Sequence, residues 1–441
     1  MSRRDWILRG PAAIGGTLAV PGDKSISHRA LLLGAIAEGP TTIRGLLRGE
    51  DCLATLAALR ALGVSISETA DGTIHIQGRG PAGLREPGQA LDCGNSGTSL
   101  RLLAGLLAGR PFFSVLTGDA SLRERPMRRV TEPLRKMGAQ ILGRADGTLC
   151  PLAIRGGALL GIDWKTPVAS AQVKSAILLA GLQAVGATRV TEPVLSRDHT
   201  ERMLAMFGTP PAREGTTVTV RGGTALSGAD IQIPGDLSSA AFFVVGAAAQ
   251  PGARLAVTGV GLNPTRTGLL AVLERMGARI TADGAVAADG EPIGDLRVQG
   301  AQLSGVTIEP ALVPALIDEI PILAVAAALA RGPSEFAGVG ELRVKEVDRL
   351  AAVRDELGKL GAHITVTGDR LCIAGGAPLQ GAVVASRGDH RMAMSLAIAG
   401  LFASGETTIQ DVACVETSFP GFAALLAAAA PSAQLREVVH D

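Results

Sequence analysis

Five times along the chain a helical pattern closes on a glycine that opens onto a short apolar stretch, as ALGVSI, KMGAQI, MFGTPP, RMGARI and KLGAHI. The glycines, Gly63, Gly138, Gly208, Gly277 and Gly361, stand 75, 70, 69 and 84 residues apart. Solenoid repeats have periods of about 20–50 residues, so each copy here must be a small α/β unit of its own. Within a copy the order is constant: an apolar helix, a glycine, a short strand, a second helix, then the closing motif. The first helix of each copy is apolar nearly all round, as in ILLAGL (177–182) and AVAAALA (324–330). Such a helix has no face for water and must be covered. The expectation is helices inside and sheets outside, three copies to a lobe. A sixth copy, HRMAMSLAIAGLFASGETTIQDV (390–412), enters the C-terminal tail without the closing strand motif.

The turn Pro21-Gly22-Asp23 ahead of copy one recurs as Pro234-Gly235-Asp236 ahead of copy four. Read as two chain crossings, these turns divide the chain into a lobe of 22–233 and a lobe of 1–21 plus 234–441. Two lobes joined twice can close on a ligand, so the active site is expected in the cleft between them.

Composition narrows the class. With 441 residues, 47% of them hydrophobic, 19% charged and a net charge of +1, the chain reads as a multidomain globular enzyme. Scattered basic residues and 2% aromatics, with no Tyr, argue against nucleic-acid binding. Five cysteines without a CxxC pair argue against a zinc site or a disulfide framework and for a reducing compartment. The first 20 residues lack a signal-peptide core, and apolar runs 240–249 and 322–330 are about half the ~20 residues a bilayer requires. A cytoplasmic monomer is expected, with no membrane, metal or cofactor. Six Lys stand against 36 Arg, which singles out Lys24 and Lys345 inside polar motifs.

Polar residues gather where the apolar helices begin. PGDKSISHR (21–29) reads as strand, turn and helix N-terminus, with Lys24, Ser25 and Arg29 suited to an anion. Asn95-Ser96-Gly97-Thr98 precedes the next such helix, with Arg101 one turn in. In RERP (123–126), Pro126 biases Arg125 away from the helical region, so its side chain projects from a turn. Ser170 reads as the N-cap of a helix after Ala171 and Gln172. Arg197-Asp198-His199-Thr200-Glu201 opens another helix, and His199 has no second ligand at metal spacing. Asp318-Glu319 head a buried helix as dipole partners or acid/base groups. In LRVKEVDR, a helix would place Lys345, Glu346 and Arg349 on adjoining flanks. Asp389-His390-Arg391 opens the last apolar helix.

Lys24, Arg29, Arg125, Arg197, Lys345, Arg349 and Arg391 make seven cations at helix starts. A phosphate monoester carries about −1.5 to −2, so two phosphates and two carboxylates match that set less two local carboxylates. No GxxxxGK[ST] loop and no GxGxxG after a strand is present, so neither a nucleoside triphosphate nor NAD is indicated. The residues alone describe a cofactor-free enzyme for two small anions.

Taken together in this order, PGDKSISHR, NSGT, ERPM, SAQVK, IDEIPILA, RVKEVDRL and DHRMAMS make the chain resemble the 5-enolpyruvylshikimate-3-phosphate synthases nearly end to end. SAQVK, RDHTE and NPTR (263–266) look like the class II bacterial form. The resemblance implies an inside-out α/β fold of two lobes, three βαβαββ-type units each. It also implies transfer of the enolpyruvyl group of phosphoenolpyruvate to the 5-hydroxyl of shikimate 3-phosphate, with release of phosphate. By motif, Lys24, Asn95, Gly97, Arg125, Gln172, Arg349 and Arg391 would hold phosphoenolpyruvate. Ser25, Arg29, Ser170, Ala171, Gln172, Arg197, Asp318 and Lys345 would hold shikimate 3-phosphate. Lys24, Glu346 and Asp318 would move the protons.

Two positions depart from the family pattern. Thr417 stands where some members place a Lys, and Gly97 stands where glyphosate-tolerant class II members can carry Ala. The rival readings are the sister transferase acting on UDP-N-acetylglucosamine, whose mobile loop has a Cys absent from TGDASLRERP, and a non-catalytic anion-binding module. RNA-3′-phosphate cyclase-like proteins share the architecture, but would need nucleic-acid contacts that this charge balance does not offer.

Overall fold

The computed structural model describes residues 3–285, 290–376 and 378–440. It resolves into two compact units. One is Gly22–Pro234 with Ala287–Glu291, and the other is Met1–Pro21, Gly235–Val286 and Pro292–Asp441. Pro234 falls within the first unit.

Among the described residues there are six four-stranded sheets, and all share one pairing plan. A short strand runs parallel to its neighbour, and two antiparallel pairings follow. In copy one the order is Asp230–Gln232, Glu38–Arg44, Ile74–Arg79, Ser65–Glu68. The short parallel strand here comes from the end of copy three, so the unit 22–234 closes on itself. Copies two and three repeat the plan around Phe113–Thr117 and Ala187–Thr191.

In the other unit the plan recurs around Arg254–Gly261, Ser334–Phe336 and Gly405–Gln410. The sixth copy is not left without its closing strands. Arg436–His440 takes one place and the N-terminal strand Arg3–Gly10 takes the other, with Trp6 opposite Ile409 on one side and Glu437 on the other. Trp6 stacks on Phe422 at 5.4 Å, in a cluster with Phe242, Phe243 and Phe419. Five of the chain's eleven aromatic side chains thus anchor the N-terminal strand in one core.

Each copy contributes one apolar helix to the interior: Lys24–Ile36, Gly97–Ala108 and Ala171–Gly181 in one unit, Leu237–Ala248, Ile320–Leu329 and His390–Gly400 in the other. All twelve residues of Leu237–Ala248 are buried. Helix approach is close enough to need glycine: a Cβ on Gly105 would lie 2.1 Å from the backbone oxygen of Ala176.

The five closing glycines share one role. Each has a positive φ, from 81° at Gly208 to 116° at Gly138, and each ends a helix. In every case the N–H of the residue after the glycine bonds the carbonyl five residues back, as in Val64 to Leu59, Ala139 to Leu134 and Ala362 to Leu357. This is the Schellman C-cap, and an L side chain in that left-handed position costs about 1 kcal/mol. The regular signal in the sequence is therefore a helix stop used five times.

Two glycines give opposite expectations. Gly105→Ala forces a methyl onto the Ala176 backbone and should lower stability by about 1–3 kcal/mol. Gly358→Ala, exposed on the helix Arg349–Lys359 with nothing within 4 Å of the new methyl, should raise it by about 0.5–1 kcal/mol. Thermal unfolding midpoints moving in opposite directions would bear this out.

Candidate active site

Helices that start inside a protein must have their first N–H groups satisfied. In the unit 22–234 this is done three times by a side chain: Asp23 accepts from the N–H of Ile26, Ser96 from Ser99 and Ser170 from Val173. Around these caps lie the predicted anion-binding residues. Lys24 Nζ is 3.0 Å from Asp51 Oδ2. Arg125 donates to Asn95 Oδ1 at 2.6 Å, and Asn95 donates to Asp119 at 2.7 Å. Gln172 donates to Thr98 Oγ1 at 2.8 Å and accepts from Arg101. The structure thus brings Asn95, Gly97, Arg125 and Gln172 together around the start of Gly97–Ala108. A Cβ on Gly97 would lie 2.7 Å from Arg101 Nη1 and 3.4 Å from Arg125 Nη1, so Ala at 97 would displace Arg101.

Arg29 is enclosed within its unit. It is 3% exposed, and its guanidinium donates to Thr200 Oγ1, Ser175 Oγ and the Ser25 carbonyl at 2.7–2.9 Å. Burial lowers its pKa to about 10. Arg29 therefore ties the Ser25 turn to two other helices. Beside it His28 bonds Thr55 at 2.8 Å, and Thr55 bonds Ser99 at 2.7 Å. Burial, with Lys24 and Arg29 nearby, holds the His28 pKa well below its ordinary value, so the ring is neutral.

In the other unit the predicted residues converge on one guanidinium. Arg349 is 1% exposed and donates through Nε to Asp389 at 2.7 Å and through Nη2 to Glu346 at 2.6 Å, with Asp318 at 3.5 Å from Nη1. Burial alone would lower its pKa, but Asp389, Glu346 and Asp318 outweigh that and raise it above the ordinary value. Lys345 Nζ lies 3.1 Å from Asp318. Arg391 donates to the Asp318 carbonyl at 3.1 Å and lies 3.5 Å from Glu319. Asp389 caps the helix His390–Gly400, accepting the N–H groups of Arg391 and Met392.

One local expectation is corrected here. Lys345 and Glu346 are not on a helix with Arg349, because the helix begins at Arg349 with Asp348 as its cap. Lys345 and Arg349 meet at the carboxylate of Asp318, and Glu346 joins through Arg349, rather than through helical spacing. Thr417 donates to the Cys414 carbonyl at 2.7 Å, so its hydroxyl does not replace the expected Lys.

Further buried polar groups support these residues, and Ser238, Glu192 and Glu356 among them were not singled out from the sequence. Glu319 accepts from Ser238, which also receives Arg266, and Arg266 pairs with Asp236 at 3.3 Å. Lys174 is buried between Glu192 at 2.8 Å and Glu201 at 2.7 Å. Lys174 is the Lys of SAQVK, but nothing local in the sequence pairs it with Glu192. Glu356 is 1% exposed and receives Lys359, the N–H of Ala385 and both Nε and Nη2 of Arg387, which has a φ of +59°. It thereby holds the strained turn ahead of Asp389 and Arg391.

The comparisons with known proteins now decide the family. A sequence model described as EPSP synthase (3-phosphoshikimate 1-carboxyvinyltransferase) matches residues 8–426. The chain belongs to the EPSP synthase family. A Desulforudis audaxviator relative named 3-phosphoshikimate 1-carboxyvinyltransferase is 57% identical over 408 residues, 92% of this chain and 95% of the relative. A Desulforamulus reducens relative of the same name is 54% identical over 411 residues, 93% of this chain and 96% of the relative. A solved EPSP synthase structure from Acinetobacter baumannii is 47% identical, with a TM-score of 0.87 covering 99% of this chain and 100% of that one. The inside-out α/β fold expected from the repeats is thus the fold of an EPSP synthase.

The turn that presents Arg391 in this EPSP synthase yields a pH prediction. Burial would raise the Glu356 pKa, but its hydrogen bonds from Lys359, Ala385 and Arg387 outweigh that and set it below the ordinary 4.5. A depressed carboxylate pKa contributes stability that is fully present above the unfolded value and is lost as pH falls through the folded one. Glu356→Gln should therefore be less stable than the wild-type enzyme at pH 7, and the gap should shrink as pH drops below about 4.5. Denaturant unfolding across that range measures it, and a gap that does not change with pH would refute it.

Proposed function

We propose that the caps of the unit 22–234 and the Arg349 cluster of the other unit serve the two substrates and the two proton transfers of one reaction. The chain is a 3-phosphoshikimate 1-carboxyvinyltransferase, moving the enolpyruvyl group of phosphoenolpyruvate to the 5-hydroxyl of shikimate 3-phosphate in aromatic amino-acid biosynthesis. The observation that carries the residue assignment is Arg349, which holds Asp318 and Glu346 on one fork. An addition followed by an elimination needs such a pair.

In the addition, C3 of phosphoenolpyruvate gains a proton, and the oxygen of the 5-hydroxyl attacks C2 as its own proton leaves. In the elimination, C3 gives its proton back and the C2–phosphate bond breaks. Asp318 takes the hydroxyl proton, and Glu346 with Lys24 supplies and removes the C3 proton and meets the departing phosphate. Bound substrate displaces water from around Glu346, so its proton passes to C3 and not to solvent. Lys24, Asn95, Gly97, Arg125, Gln172, Arg349 and Arg391 hold phosphoenolpyruvate. Ser25, Ser170, Ala171, Gln172, Arg197 and Lys345 hold shikimate 3-phosphate, with Arg29 setting the Ser25 turn. Free cysteines, and the lack among the described residues of a helix long and apolar enough to cross a membrane, support a cytoplasmic setting. We also read the enzyme as a monomer.

Phosphate release with phosphoenolpyruvate and shikimate 3-phosphate, beside a tube with UDP-N-acetylglucosamine, tests the substrate. Release is expected in the first tube only. Single substitutions Asp318→Ala, Glu346→Gln and Lys24→Met should each lower kcat by about 10²–10⁴-fold. Solvent deuterium entry into the enolpyruvyl methylene should fall with Glu346→Gln, and an Asp318→Ala enzyme at full rate would remove the base assignment.

A further inference from the structure

In the unit 22–234 the three inner helices are capped alike, but the caps themselves are held differently. The N–H of Asp23 bonds the Pro234 carbonyl at 2.8 Å and that of Ser96 bonds the Cys93 carbonyl at 2.9 Å. The N–H of Ser170 instead bonds a side chain, Glu192 Oε1, at 3.0 Å. The second oxygen of Glu192 accepts the N–H of Ser196 at 3.2 Å and Lys174 Nζ at 2.8 Å. One carboxylate therefore grips the backbone directly before Ala171-Gln172 and directly before Arg197.

The ammonium beneath it is fully enclosed. Lys174 is 1% exposed, Glu192 2% and Glu201 8%, and Lys174 reaches both carboxylates. Glu201 follows Thr200, the hydroxyl that receives Arg29 Nε and bonds Ser175. Glu201 also offsets the charge of Arg29, so Lys174 and Arg29 balance Glu192 and Glu201. A buried ion pair of this kind is a weak source of stability, since apolar side chains of similar volume often serve as well. What apolar side chains lack is the ability to accept two backbone N–H groups from different loops.

We propose that Glu192, seated on Lys174, is a positioning residue for shikimate 3-phosphate. It sets the Ser170–Gln172 and Ser196–Arg197 segments in their binding geometry before the substrate arrives. The inference rests on the reading that these segments hold that substrate. Preset donors lose less freedom on binding, so the effect belongs to the affinity for shikimate 3-phosphate rather than to the chemical step.

The double variant K174M/E192Q removes one charge of each sign and leaves one amide oxygen for two N–H groups. Calorimetric binding of shikimate 3-phosphate to the enzyme without phosphoenolpyruvate should weaken at least fivefold, and by more than KM for phosphoenolpyruvate rises, since Gln172 alone of these segments is shared by both substrates. A smaller loss, or equal losses for both substrates, overturns the proposal. Ser170→Ala tells the two failures apart. If Ser170→Ala binds shikimate 3-phosphate normally, the substrate assignment itself falls; if it binds weakly while K174M/E192Q binds normally, only the positioning role falls. Should the double variant not fold, hydrogen exchange on the wild-type enzyme decides. Amides 170 and 196 protected without ligand support the proposal, and amides that become protected only when shikimate 3-phosphate is added overturn it.

Discussion

A helix that is apolar on every side has only one polar feature to offer, its ends. The six inner helices of this chain are apolar nearly all round beyond their first two turns, and covering them dictates that the sheets lie outside. It also dictates where chemistry can occur. Free N–H groups at an enclosed helix start require an acceptor, and the chain supplies Asp23, Ser96, Ser170, Asp236 and Asp389. The remaining polar residues of each copy gather around these caps because nowhere else in the interior tolerates them. The site thus follows from the same constraint that sets the layers.

Charges in such a place need other charges. Arg349 is enclosed by Asp389, Glu346 and Asp318, and Lys174 by Glu192 and Glu201. Removing one partner from such a set leaves an uncompensated buried charge, a loss of about 3–5 kcal/mol. The enclosed sets therefore fix orientation as firmly as the packing does. Glu356 extends the same principle to backbone, holding Arg387 in a conformation that few non-glycine residues adopt.

The repeats, the inner helices and most helix starts were legible in the sequence because each leaves a local mark. An αL stop needs glycine, a cap needs Asp or Ser, and a covered helix needs apolar residues on all sides. Asp318, Lys345, Glu346, Arg349 and Arg391 were legible by motif, although Lys345 and Glu346 were placed with Arg349 on a helix that begins only at Arg349. What left no mark was pairing across long separations. The partners Lys174 and Glu192, 18 residues apart, are no closer in pattern than any other two charges. The sixth copy looked unfinished because its missing strand is at the other end of the chain.

That strand bears on how the protein is made. Arg3–Gly10 is made before the rest of the fold described here, yet its side chains find their partners 397 to 435 residues later, at Glu406, Glu437 and His440. The unit 22–234 has every strand of its three sheets in hand far earlier, since Asp230–Gln232 closes it. Synthesis from N-terminus to C-terminus therefore completes the middle of the chain before its beginning. Through that interval the first strand is an open edge, and Arg3, Arg4, Asp5 and Arg9 give it the charges that discourage pairing with a stranger.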